Sequence, residues 1–379
     1  ADPLRFLTRA THAFTDEFPL GQVQNQAYGY LFPQGAFFLL FDWAPDWLTQ
    51  RAWWSLLLCL AYSGTLVLAR RIGIRGTWPP VLAATLYALS PRILTTLTAI
   101  SSEAWPVALV PWTLVPLVSK RPQVAPALVA VACMGAVNAT ATVAACLPAF
   151  VLLLARRAFR QAAVFAAGAM AVSAWWIGPL LVLGRYSPPF TDFIESARVT
   201  TAWLNPVEIL RGTTSWTPFV DTERAAGHLL VAEPAFIIAT CLVAAFGLAG
   251  LARRDMPWRG PLLAVFAVGF WVLGSAHLMP SLYDGAFAPF RNLHKFDPLV
   301  HLPLALGAGH LAAKVNRPKA VGITLAAAGT MFDTTEITPS APASMARAAV
   351  GSRTVGAQDR PGTPLDEPGR GGAVTMGER

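Results

Sequence analysis

The chain has 379 residues, of which 54% are hydrophobic and 13% charged, and its mean hydropathy is +0.48. That balance excludes a water-soluble globule and points to an all-α, polytopic integral membrane protein. The net charge of +8 raises nucleic acid as a partner, but in a membrane chain the placement of Lys and Arg carries more meaning than their sum, and we exclude nucleic acid.

The chain starts in a polar segment, ADPLRFLTRATHAF, without an initiator Met or a signal-peptide pattern, so at least one further span is expected upstream. Residues 1–51 are expected to form part of an outer-face loop with an interfacial segment. Its core is DEFPLGQVQNQAYGYLFPQGAFF, Asp16 to Phe38, in which two acids, Asp16 and Glu17, precede Gln22, Gln24, Asn25, Gln26 and Tyr28. Carboxylates suit proton transfer from a sugar hydroxyl, and amides offer both donor and acceptor to polyols. The competing readings are a solvated acid pair and a polar loop that satisfies its own backbone.

Residues 52–331 are expected to form the transmembrane bundle. After Arg51, AWWSLLLCLAYSGTLVLA runs to Ala69 and stops on Arg70 and Arg71, which marks the cytoplasmic side. The run from Trp78 returns outward to Ser90. Between Arg92 and Glu103, ILTTLTAISS is too polar to span and reads as re-entrant or surface-lying. Ala104 to Val118 comes back to Lys120 and Arg121. Val124 to Val137 and Ala141 to Ala155 form a hairpin around the polar corner Asn138, Ala139 and Thr140. Gln161 to Leu183 carries the interface pair Trp175 and Trp176, and outer loops follow at 184–228 and 280–297. Leu229 to Leu251, Pro261 to Met279, Leu299 to Ala312 and Val321 to Met331 complete the apolar runs. Counting spans puts every basic cluster on one side, and nearly all acids before residue 332 on the other. Residues 332–379, rich in Thr, Ser, Pro and Gly, read as a disordered or aberrant tail.

Four groups could carry chemistry. Glu103 is an acid at membrane depth, a functional hypothesis by default, with a structural ion pair to Arg92 as the alternative. Arg291, Asn292, His294, Lys295 and Asp297 fall within seven positions of one outer stretch and could clamp a lipid phosphate, or simply anchor the following span. His277, His301 and His310 stand alone in apolar surroundings and read as core histidines. Cys59, Cys133, Cys146 and Cys241 lack metal or redox spacing and read as packing residues, so no metal site is expected. No nucleotide-binding or hydrolase signature is present.

Four strings, FPLGQVQNQAYGYLFPQGAFF, LSPRILTTLTAISSEAWP, AWLNPVEILRG and FRNLHKFDPLVHLPLALG, spread over the chain to about Met331. In them the chain resembles the membrane portion of the mycobacterial-type alpha-(1→3)-arabinofuranosyltransferases of the GT-C superfamily. The resemblance implies a GT-C-like helix bundle in the plasma membrane. It implies transfer of an arabinofuranosyl group from a polyprenyl-phosphate donor to a polysaccharide acceptor at the outer face. It also implies a base carboxylate upstream of Ala1, which leaves Asp16, Glu17 and Glu103 as the candidates within the chain. Substrate contacts are then expected from Gln22, Asn25, Gln26, Tyr28, Arg92, Arg291, His294, Lys295 and Asp297. No cofactor is required, though a divalent cation is compatible. The competing functions are a flippase for polyprenyl-linked sugars, disfavoured because the polar groups sit in outer loops rather than at a midplane repeat, and a non-catalytic fragment.

Overall fold

In the computed structural model the described residues are 3–12, 14–15, 22–23, 27–135, 138–186, 195–220, 225–285 and 287–314, all within the unit Ala1–Phe332. Helix α1 spans Pro3–Ala10, and a two-residue antiparallel pair, β1 (Phe14–Thr15) and β2 (Gln22–Val23), pairs Phe14 with Val23 and Thr15 with Gln22. There follow α2 (Ala36–Leu40), α3 (Asp46–Ile72), α4 (Trp78–Ala88), α5 (Pro91–Leu97), α6 (Ser101–Leu114), α7 (Val124–Ala132), α8 (Ala139–Ala155) and α9 (Phe159–Tyr186). Four short helices, α10 (Ala197–Thr200), α11 (Pro206–Arg211), α12 (Thr217–Val220) and α13 (Ala225–Ala232), lead into α14 (Pro234–Ala252) and α15 (Arg259–Gly274). The small helix α16 (Pro280–Asp284) and the central helix α17 (Pro298–Lys314) complete the described fold.

Helices α3, α9 and α14 are long and apolar enough to cross a membrane, and α8 and α15 are shorter apolar helices. Several boundaries differ from the expected ones for readable reasons. The expected span Leu229 to Leu251 is broken at Glu233, and Pro234, suited to a first helical position, opens α14 after α13 ends. The run from Trp78 gives a helix of 11 residues, too short to cross a bilayer alone. The Trp175/Trp176 pair divides, with Trp176 buried and Trp175 exposed. The apolar run Val321 to Met331 lies outside the described residues.

Helix α17 is the axis of the bundle. Its residues from Pro298 to His310 are all buried, packed among α4, α14 and α15. Apolar side chains gain nothing by leaving lipid for one another, so close backbone approach has to supply the attraction. Gly250 on α14 faces Gly307 on α17, where a Cβ on either would collide with the backbone opposite. Helices α3 and α6 run parallel: the Trp53 indole donates to Ser101 Oγ at 3.2 Å near their starts, and Arg71 donates to the Val115 carbonyl at 3.0 Å near their ends.

The basic clusters therefore meet at one end of the bundle. Arg156 donates to the carbonyls of Leu117 and Ser119 at 2.6 and 2.8 Å and lies over the Trp258 ring, while Asp255 pairs with Arg253 at 2.9 Å and Lys314 at 3.0 Å. Glu103, at the start of α6, and Asp297, just before α17, mark the opposite end.

Candidate functional site

Glu103 sits in the first turn of α6, where the helix dipole favours an anion. Ahead of it, Pro91 opens α5 and places Arg92 in that helix's first turn, fully buried. The bend of Thr98 to Ile100 folds α5 back against α6, and the sequence separation of 11 closes into the Arg92 Nη2 to Glu103 Oε1 ion pair.

The remaining partners come from elsewhere in the chain. A single 3-10 turn, Leu293 to Phe296, delivers two buried side chains: His294 Nε2 lies 3.1 Å from Glu103 Oε1, and Lys295 Nζ 3.5 Å from Oε2. Asn138, the N-cap of α8, donates from Nδ2 to Glu103 Oε2 at 3.1 Å. Both carboxylate oxygens are thus engaged by two partners each. Arg92 Nε and Nη1 and His294 Nδ1 are buried without a hydrogen-bond partner.

Burial pushes the His294 imidazole down to about 4, with the Arg92 charge acting in the same direction, so it is neutral at physiological pH. Burial also lowers the Lys295 ammonium, an effect opposed chiefly by the Glu103 charge and reinforced by the like charge of Arg92. Counting the four groups, two cations face one carboxylate and a neutral imidazole. The cluster holds one positive charge in excess where water is scarce, the setting in which a charge most needs a partner. Glu195, exposed shortly before α10, adds a weaker attraction to Lys295.

The other expected site residues separate. Arg291 lies 3.8 Å from Asp284, whose Oδ1 also accepts the Ala197 N–H at 2.6 Å, and its carbonyl accepts from Thr200 Oγ1 at 3.0 Å. Asp297 pairs with His301 at 2.9 Å and accepts from Thr214 Oγ1 at 3.4 Å, and the Asn292 side chain accepts from the Trp216 indole at 3.2 Å. So FRNLHKFDP does not converge on one point: the two side chains inside the 3-10 turn share Glu103, and the three that flank the turn find other partners. Only His294 and Lys295 reach Glu103, while Arg291, Asn292 and Asp297 fasten α10, the segment after α11 and α17 around them.

His301 and His310 are buried and engaged, by Asp297 and by Asp255 at 3.3 Å. The side chain of His277 lies outside the described residues, as do Asp16, Glu17, Gln24, Asn25 and Gln26; Gln22 is placed by its backbone alone, in β2. Tyr28 is half-buried, which pushes its phenol up to about 12. The end of the amide-rich stretch is fixed beside the site. Phe37 and Phe38 pack on Trp53, whose ring stacks at 4.2 Å on that of Trp105, two residues beyond Glu103. The backbone of Phe32 and Pro33 passes so close to Gly135 that a Cβ there would collide, and Gly135 also holds a φ of +76°. Among the described residues no three His, Cys, Asp or Glu side chains are grouped to hold a metal ion.

The residue that sequence reasoning passed over is Asn138. Its signal was present, an Asn directly before an apolar helical run, which is the pattern of an N-cap; that the cap's amide would face an acid on another helix was not in the local sequence.

Comparison with known proteins agrees with the bundle. The family described as alpha-(1→3)-arabinofuranosyltransferase, N-terminal GT-C domain, matches residues 1–357. An alpha-(1→3)-arabinofuranosyltransferase of Mycolicibacterium smegmatis is 47% identical over 342 residues, and one of Mycobacterium tuberculosis 45% identical over 343, each covering 84% of this chain. The cryo-EM structure of the arabinofuranosyltransferase AftD from mycobacteria superposes with a TM-score of 0.70 at 41% identity, covering 87% of this chain. This chain spans 24% of the length of each of these relatives. By the extent of the family match and the identity to those relatives, the chain belongs to the N-terminal GT-C domain family of the alpha-(1→3)-arabinofuranosyltransferases.

Proposed function

We propose that this chain is the membrane part of a glycosyltransferase that moves an arabinofuranosyl group from a polyprenyl-phosphate donor to a cell-wall arabinan at the outer face of the plasma membrane. The observation that carries this reading is the buried excess of positive charge around Glu103. Two cations held by one carboxylate are the complement of a departing phosphate monoester. A mostly apolar cleft lined by Leu86, Leu89, Val243 and Leu304 reaches Ser90 and Pro91, next to Arg92, and in this reading takes the start of the prenyl chain.

In this reading the acceptor hydroxyl attacks the anomeric carbon, the bond from that carbon to the phosphate oxygen breaks, and the polyprenyl phosphate leaves with the electron pair. Arg92 and Lys295 neutralise that leaving group. Glu103 orients them rather than acting as base, because both its oxygens are already engaged. The hydroxyl proton goes to a carboxylate outside this cluster. Gln22, Asn25, Gln26 and Tyr28 are the sugar contacts of this reading, and because a phosphate monoester leaves with less charge than a nucleoside diphosphate, the transfer has no intrinsic need of a metal, though a divalent cation remains compatible with it.

The test is transfer of labelled arabinose from polyprenyl-phosphate arabinose by the full-length protein. Lys295→Ala is expected to lower donor kcat/KM about a hundredfold, the scale for removing one group that stabilises developing charge. Arg92→Lys, which keeps the charge but loses the planar fork, is expected to fall between it and the unaltered protein. Unchanged transfer in both variants, with translocation of the lipid-linked sugar impaired, would replace this reading with the flippase.

A further inference from the structure

We infer that Asn138 is a positioning residue for the cationic site, and that the N-terminus of α8 is the hub that sets Glu103 in register with His294 and Lys295. The inference rests on the reading of that cluster as the donor-phosphate site.

The argument starts from the two jobs of one side chain. Asn138 Oδ1 accepts the Ala141 N–H at 3.1 Å and so caps α8, while Nδ2 donates to Glu103 Oε2 at 3.1 Å. A cap needs only the oxygen, and Asp or Ser would serve equally. An amide caps the helix with its oxygen and donates to the carboxylate from a separate nitrogen, whereas a Ser hydroxyl carries both capacities on one atom of a shorter side chain. Two residues on, Thr140 Oγ1 donates to the Pro289 carbonyl at 2.9 Å, on the segment that leads into the turn bearing His294 and Lys295. One helix end thus fastens the acid, on α6, and the segment carrying two of its partners.

A second stitch holds the same corner from below: the Trp105 indole donates to the Cys133 carbonyl at 2.8 Å, joining α6 to the end of α7, and Thr142 Oγ1 donates to the Gly135 carbonyl at 3.0 Å. The other partners on the Lys295 side are less fixed, since Lys295 reaches Glu103 through a long aliphatic stem and the neutral His294 through a ring with an unpartnered Nδ1. The Asn138 amide is the short neutral donor that fixes which oxygen faces Lys295. Without it the carboxylate can rotate toward Arg92, and the Lys295 ammonium moves with it.

Capping and positioning separate by substitution in the full-length protein. The charged and titratable groups facing this position are Glu103 from α6, Arg92 from α5, and His294 and Lys295 from the 3-10 turn. Asn138→Ser keeps a capping oxygen but withdraws the separate amide nitrogen that reaches Glu103; we expect melting within error of the unaltered protein and donor kcat/KM lower by roughly ten- to hundredfold, the scale of one hydrogen bond to a charged group. Asn138→Asp also keeps the cap but places a second carboxylate against Glu103. Two such acids share a proton with a raised pKa, and the protonated Asp restores a donor, so this variant should recover activity as pH falls, a limb absent from the unaltered protein. Wild-type kinetics in Asn138→Ser and no added limb in Asn138→Asp would make Asn138 a cap alone and overturn the inference, as would loss of folding in both. Lys295→Ala, run beside them, distinguishes the failures: if it transfers normally the donor-phosphate reading itself has failed, and if it is impaired while Asn138→Ser is not, only the positioning role has.

Discussion

The two ends of the bundle use the same residue types in opposite ways. At the basic end, Arg71 and Arg156 donate to the carbonyls of Val115, Leu117 and Ser119, and Asp255 meets Arg253, His310 and Lys314 with its side chain 42% exposed. At the other end, Arg92, Glu103, His294 and Lys295 lie within a few ångströms of one another, each less than a tenth exposed. Cations that satisfy backbone carbonyls near water cost the fold little and sort the chain across the membrane. Cations sealed around one acid are costly, which is why buried titratable clusters are the first place to look for function.

The largest break of this contrast is Glu103→Gln. It leaves Arg92 and Lys295 buried without a counter-charge, so it is expected to destabilise the bundle by about 3–5 kcal/mol and to abolish transfer. Thermal melting in detergent reads the first effect and arabinose transfer the second. Normal melting would show that the cluster is wetter than its burial indicates, and the contrast between the two ends would narrow.

The next effect is a pH dependence. His294 falls from an ordinary value near 6.5 to about 4 in the fold. The unfolded chain therefore binds a proton that the folded one refuses, and this group's contribution, on the order of 3 kcal/mol, is full above pH about 6.5 and disappears as pH drops toward 4. Melting between pH 7 and pH 4 should fall more steeply for the unaltered protein than for His294→Gln, which carries no titrating ring. Parallel curves would mean that His294 is protonated in the fold, and the cluster's positive excess would then be two charges rather than one.

These two ends were not equally legible in the sequence. The basic end was readable because Arg70, Arg71, Arg156, Arg157, Arg253 and Arg254 follow apolar runs directly, so position along the chain gives position across the membrane. The Arg92 to Glu103 pair was readable as well: the stretch between them is too polar to span, and the pair was one of two readings weighed for Glu103. The partners of that pair were not readable, because they lie 35 and 191 residues away from Glu103 and only the packing of α8 and α17 against α6 joins them. Conversely, FRNLHKFDP suggested a single clamp because its charges are close in sequence, while only the pair inside the 3-10 turn shares an acid and the residues flanking it pair elsewhere. The break at Glu233 shows the same limit, since hydropathy runs on past Pro234 while the helix ends and restarts there.

The smallest expected effect sharpens the comparison from the other side. Hydrogen bonds from Arg253, and after it Lys314, hold the Asp255 carboxyl well below the usual carboxylate range, yet the group lies open to water. Its contribution to the fold, present at neutral pH and lost as pH falls through that lowered value, is shared with solvent and screened by salt. Asp255→Asn keeps an oxygen that accepts from His310 and removes only a charge that water already stabilises. Its melting should therefore differ little from that of the unaltered protein at low salt and not at all at high salt, with transfer unaffected. Melting lowered as far as by Glu103→Gln would show that burial does not separate the two ends, and that the pairing of Asp255 with Lys314 and His310 on α17 supports the central helix as much as the Glu103 cluster does.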